Sequence, residues 1–531
     1  MTKNISNLKS RVVSFIDIGT NSIRLLVVRF NPNHSFTILS RQKQQVRLGE
    51  GEFEEDEILP DAMDRAVTVC KKFIDLARTF ECDEFVAVAT SATREAENQN
   101  MLLNRLRHEA QIDVRVISGR EEARLIYMGV ASGIHLGDKK AIFIDIGGGS
   151  TEIAIGGERQ YSFLESLKLG AIRLTNHYFK RDETGPVSSE RYKKLQQHVK
   201  NSIIHIVQKV KKIKFDVAIG SSGTIINLAE IAQRSIHQNS SSSNGSLSHK
   251  DVKKVAELLC SLPLESRRKI PGINPERADI IIAGVAIIDT IMKELDIDTI
   301  NVTTRGLQDG LLADYLSRMD DFPLFGELST RERSVLQLGR SCGINEAHAR
   351  TVTSLALQLF DSAKKQKLHT FGDNDRELLK YATFLHDIGS FISYTNHHAH
   401  SYYIITNAEL LGFDHKEISI MANIARFHRK RKPTKKTPEM MDLDPPEREM
   451  IRILSTFLRL AESLDRSHAA LVHSVQFTEF EKETVHLEVV ARGDCQLELW
   501  GVEGEMKAFF KVFGKNLVLN VENKELEPII S

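Results

Sequence analysis

The chain has 531 residues, too many for one hydrophobic core at roughly 150 residues per domain, so several domains are expected. Lys+Arg and Asp+Glu are equal at 71 each, which excludes a global field that would gather polyanions, so any anion preference must be local. The five cysteines (Cys70, Cys82, Cys260, Cys342 and Cys495) are scattered without a CxxC pair, as in reduced intracellular chains. No signal peptide precedes Arg11, and the apolar run 280–288 is far short of the ~20 residues of a membrane helix. A cytoplasmic protein without a transmembrane segment is therefore expected.

The first strand signal begins at Ser14 and reaches Asp17, followed by a turn with Gly19, Thr20, Asn21 and Ser22 and a second apolar run to Val28. Residues 60–80 show helical spacing through Ala66, Val69, Phe73, Ile74 and Ala77. A strand over 85–89 runs into TSATR (90–94), a polar loop with one cation, Arg94. An amphipathic helix over 99–109 and a strand over 114–117 follow, and Ser118 is placed to cap a helix through Leu125, Ile126 and Met128. Strands alternating with helices predict an α/β domain.

Residues 141–157 repeat the opening pattern. FIDIGGGS (143–150) is a near-copy of FIDIGTNS (15–22), an internal duplication. Glycine has no Cβ, so the amides of Gly147, Gly148 and Gly149 can close around a phosphate. Ser150 and Thr151 add hydroxyls, and Asp145 and Glu152 add hard oxygen ligands. Ile153, Ala154 and Ile155 read as a strand, which makes this a hairpin rather than the glycine-then-helix loop of Walker or Rossmann sites. A lone glycine triplet is more often an ordinary turn. A third version, DVAIGSSGTII (216–226), makes three such turns, the pattern of a phosphate clamp built by two duplicated half-domains.

Residues 188–212 form a lysine-rich helix with a solvated face, and 235–248 read as a serine-rich surface insertion. An apolar helix over 280–295, a strand over 300–303 and a closing helix to Ser317 end the pattern. Composition shifts near 320–326. From there to about Ser467 the chain reads as consecutive helices, and 471–525 as β-rich. The expected boundaries are 1–133, 134–319, 320–467 and 468–531. RKRKPTKK (429–436) is the one dense basic run, and most such runs are solvated loops.

FIDIGTNSIRLL, TSATR, SGREEARLIYMGV, FIDIGGGSTE, GSSGT, NPERADII and TTRGLQDG, in that order, resemble the exopolyphosphatase / guanosine pentaphosphate phosphohydrolase (Ppx/GppA) family. The resemblance implies two actin-like, sugar-kinase-like α/β half-domains with phosphate and metal held between them, then an all-α HD-like domain and a small β-rich C-terminal domain. It implies Mg²⁺-dependent (or Mn²⁺-dependent) removal of terminal phosphate from inorganic polyphosphate, in a cytoplasmic homodimer without a specific nucleic-acid partner. Guanosine pentaphosphate hydrolysis, or regulatory binding of guanosine tetra- or pentaphosphate, is the alternative. A kinase-like phosphotransferase is a third reading on the same fold.

Phosphoanhydride hydrolysis needs charge neutralisation and an aligned water. Asn21, Ser22, Gly147, Gly148, Gly149, Ser150, Thr151, Ser222, Gly223 and Thr224 are the expected phosphate donors, Asp145, Glu152 and Asp17 the metal ligands, and Arg94 a further neutralising fork. Spacing alone does not choose between Glu121 and Glu122 as base. Similarity to the family's SGxEEA motif places the catalytic carboxylate at Glu122, and likewise puts Arg24 and Arg277 facing a guanosine nucleotide. His348, His386, Asp387 and Asp465 resemble the H…HD…D pattern of HD-type metal phosphohydrolases, on helical faces shared with apolar residues. His397, His398, His400 and His428 are either supporting groups or surface histidines.

Overall fold

The computed structural model describes residues 10–51, 53, 56–180, 182–237, 245–319, 328–429, 440, 443–480 and 483–523. The expected linker at 320–326, the middle of the serine-rich insertion (238–244) and the basic run beyond Arg429 lie outside the described residues. No helix among the described residues is long and apolar enough to cross a membrane.

The chain divides into two compact units, residues 1–330 and 331–531. In the first unit, β1 (Arg11–Ile18), β2 (Ser22–Phe30), β3 (Phe36–Gln45), β4 (Glu84–Ala89) and β5 (Val114–Val116) form one sheet in the order β3-β2-β1-β4-β5. The second sheet, from β6 (Ala141–Ile146), β7 (Thr151–Gly156), β8 (Tyr161–Leu167), β9 (Val217–Ser221), β10 (Ser246–Ser248) and β11 (Thr299–Val302), runs β10-β11-β9-β6-β7-β8. In each, the first strand pairs antiparallel with the second and parallel with the fourth. The near-copied octapeptides therefore sit at equivalent corners of two duplicated, actin-like half-domains. β1 and β6 are apolar on both faces because helices and a shared core cover both sides of each sheet.

Helices Gly119–Ala131 and Leu307–Ser317 pack together between the sheets. Their Leu125, Ile126, Val130, Leu311 and Leu316 share a core with Phe15 and Leu26 of the first sheet and Phe143 and Ile219 of the second. The two helix backbones nearly touch. A Cβ on Gly129 would lie 2.1 Å from Gly306 O, and one on Gly310 would lie 1.9 Å from Leu125 O. Gly129 of MGV and Gly310 of RGLQDG are thus demanded by close approach. The same approach brings the start of each helix, with Glu122 and Gln308, to one cleft.

In the second unit, helices Glu346–Lys365, Asp373–Phe384, His397–Asn407, His415–Arg426 and Pro445–Ser463 follow one another as expected. The β-rich segment differs from its expectation. Between β13 (Thr484–Ala491) and β14 (Asn516–Asn523) lies an 18-residue helix, Gln496–Phe513. β14 pairs parallel to β13, whose other neighbour, β12 (Val472–Phe480), is antiparallel. A parallel pair needs a crossover, and that helix is the crossover. Val475, Leu487, Val489 and Leu517 join the core of Leu355, Ile424 and Phe457. The sheet and the helices are therefore one compact unit, without the boundary expected at 467/468.

Candidate active site

The β1–β2 and β6–β7 hairpins close in the same way. Gly19 donates its N–H to Ser22 O at 3.1 Å, and Gly147 donates to Ser150 O at 2.9 Å. None of Gly147, Gly148 and Gly149 has a positive φ. Crowding is what requires glycine there: a Cβ on Gly149 would lie 2.6 Å from Ser91 Oγ and 2.9 Å from Thr20 Oγ1. The third turn does not make a hairpin but opens helix Ser222–Ile231, with Ser222 at φ +87°. That conformation is costly for a non-glycine residue and is found where surroundings enforce it. Here the Ile146 N–H donates to Ser222 Oγ at 3.3 Å. The helix N-terminus, positively polarised, faces the cleft through Ser222 and Gly223.

The cleft is lined by Asp17, Asn21, Ser22, Arg24, Glu122, Asp145, Gly147, Gly148, Gly149, Ser150, Glu152, Ser222, Gly223 and Arg277. The expected residues thus converge, with three exceptions. Thr151 is fully buried and donates its hydroxyl to Leu169 O at 2.5 Å. Thr224, 1% exposed, donates to Ile146 O at 3.2 Å. Both hydroxyls fasten the loops instead of lining the cleft. Arg94 is also not in the lining: its Nη1 donates to Ile117 O and to Glu122 Oε2, each at 2.9 Å. That contact holds the Glu122 carboxylate in place.

The two glutamates separate cleanly. Glu121 pairs with Arg124 through two contacts of 2.8 Å, and that pairing, with opposing burial, pulls its pKa down. Glu122 is buried in the cleft. Burial, opposed by Arg94 and aided by Asp17 and Asp145, pushes it up to about 7. Burial, opposed by Arg24 and aided by Asp145, pushes Asp17 up to about 6. Burial raises Asp145 despite a hydrogen bond from Ser221 Oγ, and burial plus the Glu122 and Asp145 charges raises Glu152. Asp145 and Glu152 are cross-strand partners. Asp17 Oδ1 is buried without a hydrogen-bond partner among the described residues. An oxygen-only set of crowded carboxylates with an orphaned acceptor fits a hard divalent ion such as Mg²⁺ or Mn²⁺.

Sequence reading missed Thr20, Arg41, Lys43 and Gln308, all of which line the cleft. Gln308 Nε2 is buried and without a partner among the described residues. Arg277 lies against Gly223, where a Cβ would come within 2.4 Å of Nη1, and burial and the Arg24 charge push it down to about 10. Cations crowded together in this way suit a polyanion.

In residues 331–531, His348, His386 and Asp387 also assemble, although Asp465 serves differently. It accepts from His348 Nδ1 at 2.7 Å and from the Ala470 N–H at 2.8 Å. The carboxylate facing the imidazoles is Glu462, 3.2 Å from His348 Nε2 and 3.0 Å from His386 Nε2. His397 and His428 are buried beside Asp387. His398 is also buried, and His400 is half-buried.

A duplicated α/β fold with a glycine-and-hydroxyl cradle facing buried carboxylates defines a phosphoryl-handling protein of the actin-like class. The model of the Ppx/GppA phosphatase family matches residues 26–319, and that of Ppx/GppA phosphatase domain III matches residues 330–504. The chain belongs to the Ppx/GppA phosphatase family. Among solved structures, an exopolyphosphatase from Cytophaga hutchinsonii is similar at 27% identity over 59% of this chain and 99% of its own, with a TM-score of 0.54. An exopolyphosphatase-like protein is similar at 26% identity over 58% and 98%, with a TM-score of 0.52.

Proposed function

We propose that the cleft of residues 1–330 hydrolyses the terminal phosphoanhydride of inorganic polyphosphate in a Mg²⁺-dependent reaction, with Glu122 as general base. The observation that carries this reading is the placement of Glu122: a buried carboxylate, held through Oε2 by Arg94 and tuned to about 7, lining the same cleft as the phosphate cradle. The amides and hydroxyls of Gly148 to Ser150, Asn21, Ser22, Ser222 and Gly223 hold the terminal phosphoryl oxygens. Glu122 takes a proton from the attacking water as the phosphoanhydride bond breaks. Asp17, Asp145 and Glu152 would hold Mg²⁺, which when bound neutralises charge on the phosphoryl oxygens. Arg24, Arg41, Lys43 and Arg277 attract the rest of the polyanion.

The same four cations support a second reading, hydrolysis or regulatory binding of guanosine pentaphosphate. Phosphate release from long-chain polyphosphate and from guanosine pentaphosphate, with Mg²⁺ and after chelation, tests both. Release from polyphosphate should stop on chelation and return with Mg²⁺; release that ignores chelator contradicts the reading. Arg24→Ala and Arg277→Ala should weaken use of the nucleotide by roughly 10-fold or more, the worth of a charged hydrogen bond, and that of polyphosphate less. Equal losses on both substrates would make these arginines general phosphate contacts.

A further inference from the structure

The glycine loop is held from behind. Gly147 O accepts from the Ala171 N–H at 3.0 Å, and Gly148 O accepts from the Ile172 and Arg173 N–H groups at 2.9 and 3.1 Å. Those donors open helix Ala171–Tyr178, and the first N–H groups of a helix have no acceptor within it. Gly149 O is met by a side chain instead: Arg173 Nε donates to it at 2.8 Å. A trans peptide is planar, with its C=O and N–H pointing in opposite directions. Three pinned carbonyls therefore turn the N–H groups of Gly148, Gly149 and Ser150 away from that helix. The cleft lies on that side, lined by Gly147 to Ser150 and not by Ala171, Ile172 or Arg173. The direction of the cradle amides is set by what stands behind them.

Arg173 is itself fixed. Its Nη2 donates to Glu95 Oε1 at 2.8 Å, and its guanidinium lies 3.9 Å from the centre of the Phe53 ring. Glu95 Oε1 also accepts from Ser91 Oγ at 3.0 Å, and Lys168 Nζ lies 2.9 Å from Oε2. Ser91 and Glu95 belong to the first half-domain, Arg173 and the loop to the second, so the contact ties one to the other. Glu95 directly follows Arg94, whose Nη1 holds Glu122. The short helix Ser91–Glu95 thus carries on consecutive residues the anchor of the base and, through Arg173, the anchor of the cradle. We propose that Arg173 and Glu95 are positioning residues that aim the Ser150 amide and fix the phosphate cradle relative to Glu122. This rests on the phosphate reading of the cleft. Neither side chain lines the cleft, so both act through Gly149. The role suits arginine, whose planar fork serves two acceptors at once, whereas lysine supplies the charge without the fork.

Imidodiphosphate, whose P–N–P bridge resists hydrolysis, is a probe of the cradle that does not depend on turnover. It is titrated with Mg²⁺ into the full-length protein by calorimetry, well below the melting temperature of each variant. Arg173→Met should weaken its binding by about 10-fold or more, the worth of a charged hydrogen bond. Arg173→Lys should lose nearly as much, because the charge alone does not aim the loop. Glu95→Gln should cost part of that loss, and nothing further once Arg173→Met is present, since Glu95 acts only through Arg173. Lys168→Met, which removes a partner of Glu95 that does not touch the loop, should leave the affinity unchanged. Affinity kept by Arg173→Met, or fully restored by Arg173→Lys, would overturn this proposal alone. An unmutated chain that binds no imidodiphosphate would overturn the phosphate reading and this proposal with it.

Discussion

Glu122→Gln should lower turnover on polyphosphate by roughly 10²–10⁴-fold, the usual worth of a positioned general base, with substrate affinity largely kept. The amide keeps the shape of the carboxylate and can still meet Arg94, so the cradle is undisturbed and only the capacity to take a proton is lost. Glu121→Gln should be mild, because Glu121 is engaged with Arg124 outside the cleft. The pH profile offers a second check. A base raised to about 7 is protonated below that value, so turnover of the unmutated enzyme should fall as pH drops through the Glu122 range. The stability linkage has the opposite slope. Between the ordinary value of 4.5 and about 7, the folded state keeps a proton that the unfolded chain has released. The contribution of Glu122 to stability therefore declines as pH rises through that window, and Glu122→Gln should flatten the decline. Comparable losses for Glu121→Gln and Glu122→Gln would contradict the assignment.

Gly310→Ala should produce the largest structural effect of any single methyl. Its Cβ would lie 1.9 Å from the Leu125 carbonyl oxygen, a backbone atom that cannot swing aside. Helices Gly119–Ala131 and Leu307–Ser317 would have to separate, costing at least the ~1–3 kcal/mol typical of overpacking. Separation also draws Glu122 away from the cradle, so the melting temperature and the turnover should fall together. Gly185→Ala, where a Cβ meets nothing within 4 Å, is the control and should change neither. A normal melting curve for Gly310→Ala would show that the helices do not cross so closely.

Local patterns carried much of this site. The two near-copied octapeptides could be read as hairpins because each has a buried apolar strand on both sides of a small-residue turn. Ser118 was legible as a cap because its spacing to Glu121 allows the hydrogen bond to the Glu121 N–H, which forms at 3.2 Å. Side-chain direction was less legible. Nothing in the order of Ser150, Thr151 and Glu152 shows that the middle hydroxyl turns inward to Leu169. Arg94 looked like a free cation because its partner Glu122 lies 28 residues away. In the second unit, Glu462 lies in the last turn of helix Pro445–Ser463, and Asp465 follows three positions on, just past the helix end. Both reach His348, and which of the two lies between His348 and His386 is decided by packing that the sequence does not show. The Gln496–Phe513 helix was missed because Gly501 and Gly504 weaken its helical signal. At Gly501 the glycine serves a close approach, with Ser463 Cβ 3.1 Å from where its own Cβ would stand.

The central claim is that water, activated in the cleft, takes the terminal phosphoryl group. Incubating the protein with long-chain polyphosphate and Mg²⁺ in ¹⁸O-enriched water, then analysing the released orthophosphate by mass spectrometry, tests this most directly. The account predicts one solvent oxygen in each orthophosphate released, with chains shortened from their ends and Glu122→Gln nearly silent. Orthophosphate without solvent oxygen, transfer of the phosphoryl group to an added acceptor instead of water, or no release at all would contradict it.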